Sequence, residues 1–315
     1  VYRGRTTWEP REEFNFKEFT YFTDDERYVS MKRNYKNEDY QGWSIFTDEY
    51  GFRSGKQKLS ETANIVFLGD SVPFGWGVDA EGSVPSILHE ILSAKGIEIG
   101  IINAASPAYS LDQAVQRYMK EVAGKFPSDV IVLQTYDPAA QFTLLGRKWD
   151  VSINWTTLPP WFEHNKSDVR DYSALSYLFR RYLGKEEQVK ELLEIGDKTA
   201  VSKFSGAIVK TLNALQESAA DAEKILLLPV TVPRGTWDGM TDKHRTAINA
   251  MNAALMDYAE KNNKVLYVDT VSLFKDHDDE EIFIDRCCHL SPYGARLQAG
   301  LISGTLLKSN LRILQ

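Results

Sequence analysis

The stretch Asn64-Ile65-Val66-Phe67-Leu68-Gly69-Asp70-Ser71-Val72-Pro73-Phe74-Gly75-Trp76-Gly77-Val78 decides how the rest of the chain is read. Its first residues form an apolar, β-branched run of strand length, closed by a glycine that permits a sharp turn. Ser71 then opens the following segment. A serine in that position can be exposed at the rim of a sheet, with its own N–H free to face a developing oxyanion. The pattern is not the G-x-S-x-G elbow, because Gly69 stands two positions before the serine and Pro73 two after it. Nor is it a dinucleotide site, which needs G-x-G-x-x-G and a later acidic residue.

Downstream of this stretch, strand-length runs alternate with helical spacing. Val84, Ile87, Leu88, Ile91 and Leu92 predict a helix over 84–92. Further strands are expected at 97–102, 130–133, 225–230 and 265–268, and helices at 111–122, 201–220, 243–261 and 292–308. Strands separated by helices imply parallel pairing through right-handed crossovers, with helices on both faces. The expected class is therefore α/β, with a five-stranded parallel sheet. Between the third and fourth strands, about 140–200, Trp149, Trp155, Pro159, Pro160, Trp161 and Phe162 mark an aromatic insertion. It could shape a substrate cleft, or serve as a packing flap or oligomer contact. Upstream, residues 1–61 are rich in Tyr, Phe and charge but poor in aliphatic runs. They are expected to form an N-terminal extension lying over the main domain, 62–315, rather than a disordered tail.

Composition narrows the function classes. In 315 residues, 43% hydrophobic and 26% charged content is that of a globular protein, which excludes disordered and fibrous chains. No apolar run approaches the roughly 20 residues of a membrane helix. A formal charge of −7 with no long basic stretch argues against a nucleic-acid partner, because phosphate binding needs concentrated Lys and Arg. The chain begins at Val1, so a signal or anchor preceding it is open. The reading favours an extracytoplasmic setting, periplasmic or anchored by a removed N-terminal segment, over a cytoplasmic one. The only cysteines, Cys287 and Cys288, are neighbours in sequence, which rules out an ordinary stapling bridge, and two fall short of a structural zinc set. They read as small buried fillers, with a Cys nucleophile or a vicinal disulfide acting as a redox switch as the alternatives.

The second informative block is Phe283-Ile284-Asp285-Arg286-Cys287-Cys288-His289-Leu290-Ser291-Pro292-Tyr293-Gly294. A nucleophilic serine needs a base, and a histidine base needs an acceptor that fixes its tautomer and supports its charge. Asp285 and His289 supply both within one loop before a helix-start signal, Ser291-Pro292. His89, by contrast, sits inside a helical pattern. His277 lies in the acidic run through Glu281, which reads as a solvated turn or, alternatively, a cation site.

Together these blocks resemble the SGNH hydrolase superfamily, the GDSL-type esterases and lipases, over about residues 62–310. The run DEYGFRSGK ahead of NIVFLGDSVPFGWGV is similar to bacterial members associated with envelope polysaccharides. The resemblance implies a flavodoxin-like α/β/α sandwich with strand order 2-1-3-4-5. It also implies Ser71 as nucleophile, His289 as base and Asp285 as its partner. The family separates Asp and His by two residues, whereas three stand here. In the second block Asn103 is followed by Ala108 where the family has an oxyanion glycine, so the Ser71 and Ala108 amides are the expected donors. The family's third-block Asn is missing. Tyr136 or Pro138 occupies its place, and Gln134, Asp137 or Gln141 are the candidate substitutes.

The expected activity is hydrolysis of acyl esters, acetyl among them, of a carbohydrate or small molecule, through an acyl-enzyme and with neither metal nor other cofactor. An O-acyltransferase acting on an envelope glycan is the nearest alternative. A binding protein that keeps the fold with a decayed site is the alternative from another class. Trp76, Tyr136, Arg234 and Trp237 are the candidates for contacting substrate.

Overall fold

A computed structural model describes residues 18–22, 29–55, 57, 59–107, 109–134, 198–240, 242–309 and 311–314. At its centre is a parallel sheet of five strands: β5 (Asn64–Gly69), β6 (Gly100–Asn103), β7 (Val130–Gln134), β8 (Lys224–Leu228) and β9 (Val265–Tyr267). They lie in the order β6-β5-β7-β8-β9, so β5 and β7 are flanked on both sides and entirely buried. That placement explains their unbroken apolar sequences: a strand covered on both faces does not alternate. The order reverses direction beside β5. This switch point leaves a crevice at the carboxyl ends of the strands, where Ser71 stands.

Helices cover both faces. On one, α1 is the short turn Ser71–Phe74, and α2 (Val84–Ser93) packs against the last helix, Pro292–Lys308, over Ile65, Phe67, Val130 and Val132. On the other, Leu111–Arg117, Lys198–Ser218 and Asp242–Lys261 pack over Val66, Leu68, Ile131 and Leu133. Strand residues of odd and even number thus feed opposite cores, as the pleat requires. Among the described residues no helix is long and apolar enough to cross a membrane.

The boundaries differ from expectation for local reasons. The fourth parallel strand, expected to 230, ends at Leu228, because Pro229 has no N–H for the ladder. The Val230 N–H is instead taken up by the side-chain oxygen of Asn252. The helix expected over 111–122 is capped by a reciprocal Ser110–Gln113 pair, but changes at Tyr118 to a π-type turn running to Val122. The second strand begins only at Gly100, where an added Cβ would overlap the Asn64 carboxamide and the Ser60 backbone. The insertion expected at about 140–200 lies, up to residue 197, outside the described residues.

Two antiparallel hairpins precede the sheet: β1 (Thr20–Phe22) with β2 (Val29–Met31), and β3 (Lys36–Tyr40) with β4 (Trp43–Phe46). Gln41 and Gly42 turn the second hairpin with positive φ at both positions, as a tight two-residue connection demands. Phe19, Met31, Tyr40, Trp43 and Ile45 from this segment pack with Phe74, Trp76 and Ala105 in a third, aromatic cluster. Trp43 meets Trp76 edge-on at 4.9 Å between ring centroids. This cluster lies directly beneath the turn that follows Ser71.

Two buried arginines tie the layers together. Arg53, only 1% exposed, donates through Nη2 to the Ser44 and Val78 carbonyls and lies over the faces of Trp43 and Phe74. Burial pushes its guanidinium down to about 9, against the opposing pull of Asp79 and Glu81. Arg117 donates to the Ala105 and Gly51 carbonyls and pairs with Glu121, which in turn accepts from Ser30 of β2.

Among the described glycines, Gly69 leaves the least room for a side chain. Its φ is +141°, and a Cβ there would overlap the Gln134 carbonyl oxygen on the adjacent strand. Gly69→Ala is therefore expected to destabilise the protein by about 3 kcal/mol or more, seen as a drop in urea midpoint at unchanged m-value.

Candidate active site

Ser71 begins α1 immediately after the Gly69 turn. Asp70 caps that turn, its side chain accepting from the Val72 N–H at 2.9 Å. Gly75, with φ of +81°, ends it, and the Gly75 and Trp76 amides return to the Val72 and Ser71 carbonyls. The turn is braced from the side by Asn103, whose Nδ2 donates to the Pro73 and Phe74 carbonyls. The same side chain accepts from the Ala105 N–H through Oδ1. The outcome is a rigid, half-buried serine whose N–H makes no hydrogen bond among the described residues.

His289 reaches Ser71 from the other end of the chain. The loop that carries it is pinched at its base by an antiparallel bridge between Phe283 and Leu290, with the Ile284 N–H donating to the His289 carbonyl. Behind it the C-terminal helix starts at Pro292, capped by the Ser291 side chain on the Gly294 N–H. His289 Nε2 lies 2.8 Å from Ser71 Oγ, and Nδ1 lies 2.5 Å from Asp285 Oδ2. An ionised carboxylate can only accept, so Nδ1 carries a proton, and in the neutral imidazole Nε2 accepts from the serine hydroxyl.

Asp285 also accepts three backbone N–H groups on Oδ1, from Cys287 at 2.9 Å, Cys288 at 3.1 Å and His289 at 3.3 Å. Burial raises this carboxyl, but its electrostatic attraction and hydrogen bond to His289, with the Cys288 and Cys287 amides, outweigh it and hold Asp285 well below the usual carboxylate range. The three residues between Asp285 and His289 are thus absorbed by a turn that wraps the carboxylate, and the Asp–His contact survives the longer spacing.

The remaining sequence candidates are distributed as follows. Gln134 ends β7 beside Gly69, and its Oε1 accepts from Gln298 on the C-terminal helix at 2.7 Å. Trp76 is buried in the aromatic cluster, with its ring 6.3 Å from that of His289. Arg234 and Trp237 lie on the short helix Arg234–Gly239, which touches the 285–289 loop where the Thr236 hydroxyl donates to the Arg286 carbonyl. There Arg234 is exposed and bonded to the His277 carbonyl, with Asp279 3.7 Å away, while Trp237 packs against the core. Asp279 of the acidic run also accepts from the Gly235 N–H. Ala108, Tyr136, Asp137, Pro138 and Gln141 lie outside the described residues.

No pattern in the sequence marks Arg53 or Arg117, since arginine is by default a surface residue. The DEYGFRSGK run contained Arg53, and the spacing of Arg117 to Glu121 was the one trace of the second.

Cys287 and Cys288 are joined as a vicinal disulfide. With His289 they are the one group of possible metal ligands among the described residues, all within 4.8 Å. The disulfide withdraws both thiolates from coordination, and His289 Nε2 is engaged by Ser71, so the site as it stands offers a metal no free donor set.

No family model matches the chain, and no curated protein matches it. Its fold is similar to that of several solved structures. One is described as a member of the lipolytic G-D-S-L family from Veillonella parvula, with 16% identity, TM-score 0.48, and coverage of 78% of this chain and 100% of that one. A lipase/acylhydrolase from Enterococcus faecalis has 14% identity, TM-score 0.47 and coverage of 78% and 95%. A mutant of an acetyl-xylooligosaccharide esterase from Geobacillus has 15%, 0.46, and 82% and 99%. At such identities and TM-scores, what the site does rests on its own geometry.

The depressed Asp285 carboxyl sets a pH signature. Its contribution to stability is fully present above the unfolded-state value near 3.8 and is lost as pH falls toward the lower folded-state value. The stability difference between wild type and Asp285→Asn should accordingly shrink as pH falls from about 5 into stronger acid. Urea titrations across that range measure it.

Proposed function

We propose that this protein is a serine ester hydrolase of the SGNH type, cleaving a small acyl group, acetyl first among candidates, from a carbohydrate or other small alcohol. The observation that carries the reading is the unbroken hydrogen-bonded line from Asp285 through His289 to Ser71, joining residues 218 positions apart in sequence. In this reading His289 takes the Ser71 hydroxyl proton as Oγ attacks the ester carbonyl. The positive charge that forms on the imidazole is balanced by Asp285, which stays ionised. The carbonyl oxygen, now an alkoxide, is held by the Ser71 N–H, and the sequence resemblance implies the Ala108 N–H as the second donor. Collapse of the tetrahedral adduct expels the alcohol, which receives its proton from His289 and leaves Ser71 acylated. Water, deprotonated by His289, then attacks the acyl-enzyme and restores the serine.

Support for the substrate class comes from the surroundings of the serine. The exposed guanidinium of Arg234 lies on a helix that abuts the 285–289 loop, where it can meet polar groups of an alcohol. Behind the base, Trp76 forms a buried aromatic wall. The line of groups needs no metal to generate its nucleophile.

Intact-mass labelling with a fluorophosphonate tests the reading directly. One adduct on Ser71, absent from Ser71→Ala and His289→Ala, is the expected result. A folded wild-type protein that takes no label would overturn it. Once an ester substrate is in hand, Asp285→Asn should lower kcat by about 10²–10⁴ with KM little changed, because it disturbs the tautomer of the base and not ground-state binding.

A further inference from the structure

The turn that holds Asp285 contains the chain's only two cysteines, and the catalytic scheme uses neither. Three observations converge on them. Their sulfurs are joined, which closes a ring containing nothing but the Cys287–Cys288 peptide and the two side chains. The N–H of that peptide and the N–H just before it both end on Asp285 Oδ1. The two sulfurs also differ in access: Cys288 is 1% exposed and packed in the core beneath the sheet, whereas Cys287 is half-buried at its edge.

A ring this small restricts the dihedral angles on both sides of the enclosed peptide. It therefore fixes the direction of the two amide donors that orient the carboxylate. When the ring is opened, the peptide regains rotational freedom, and conformers with one or both amides turned away from Asp285 become populated. The carboxylate then swings relative to His289 Nδ1, and the imidazole is presented to Ser71 in the productive geometry for a smaller fraction of the time.

We infer that Cys287–Cys288 is a thiol–disulfide exchange site, open to a small dithiol or a dithiol protein, whose oxidised form holds the acid–base loop in its working geometry. The inference rests on the hydrolase reading above. In the exchange, a thiolate of the incoming dithiol attacks the more accessible Cys287 sulfur, and the sulfur–sulfur bond breaks with its electron pair passing to Cys288, which takes up a proton. The second thiol of the reagent then attacks the mixed disulfide, releasing Cys287 as a thiol and leaving the reagent as a disulfide. Two electrons move from reagent to protein, and an oxidised dithiol reverses the step. Asp285 and His289 remain chemically unchanged throughout, so the control is purely geometric.

The experiment follows two readouts on the same full-length protein. Iodoacetamide alkylation and intact mass count free thiols before and after treatment with dithiothreitol, then after reoxidation with its oxidised form; the absence of other cysteines makes the count unambiguous. The rate of fluorophosphonate labelling at Ser71 is measured in each state. The expected result is no alkylation of the oxidised protein, two alkylations of the reduced one, and labelling about tenfold slower in the reduced state and restored by reoxidation. Cys287→Ser should label at the slow rate whether or not dithiothreitol is present. Equal labelling rates in the two redox states would overturn the inference while leaving the hydrolase reading intact, and so would cysteines that stay alkylatable after oxidation. Failure of Ser71 to label in either state would remove the hydrolase reading and this inference with it.

Discussion

The site depends first on a steric constraint where β5 ends. Gly69 must turn the chain within van der Waals reach of the Gln134 carbonyl on β7, and only a residue without a side chain can do so. Because β5 is flanked on both sides, the turn has nowhere to shift. Asp70 and Ser71 are consequently delivered to one fixed place at the switch point of the sheet. The Ser106 N–H bonds to the Gly69 carbonyl, so the end of β6 is keyed to the same turn.

Around that turn the protein places unusual reinforcements. Asn103 braces the backbone after Ser71, and Arg117 holds the Ala105 carbonyl two residues further on. Arg53 spans from β4 to the Val78 carbonyl while stacked on Trp43 and Phe74. Buried guanidinium groups carry a large desolvation cost unless carbonyls, carboxylates or aromatic faces receive them, and here each finds such partners. The hairpins of the N-terminal segment supply several of these, including Ser44, Trp43 and, through Glu121, Ser30. The two hairpins thus extend the surround of the serine, sharing one aromatic cluster with Phe74, Trp76 and Ala105.

The His289 side of the site is built on another principle. His289 lies in a loop, and its position is secured by the Phe283–Leu290 bridge below and by Asp285 within. Three amides converging on one carboxylate oxygen make that loop a cage for a charge. The same hydrogen bonds that keep Asp285 ionised also shape the turn, so local folding and the electrostatics around His289 are one arrangement.

Local patterns determined a good deal in advance. The apolar run ending in Gly69, and the helical spacing at 84–92 and 292–308, are short-range patterns that report burial directly, and they located the sheet, its helices and Ser71. Asp285 and His289 were legible because they share one loop. Strand order was not contained in these patterns, nor was the meeting of Ser71 with His289 across the sheet. Pairing between distant segments is decided by which apolar faces close together, and no local spacing encodes it. The buried state of Arg53 and Arg117 was hidden for the same reason: a charge reads as surface until partners from three other segments surround it. The adjacent cysteines show the limit most plainly. Sequence made them neighbours, but only the folded turn aims the peptide between them at the Asp285 carboxylate that meets His289.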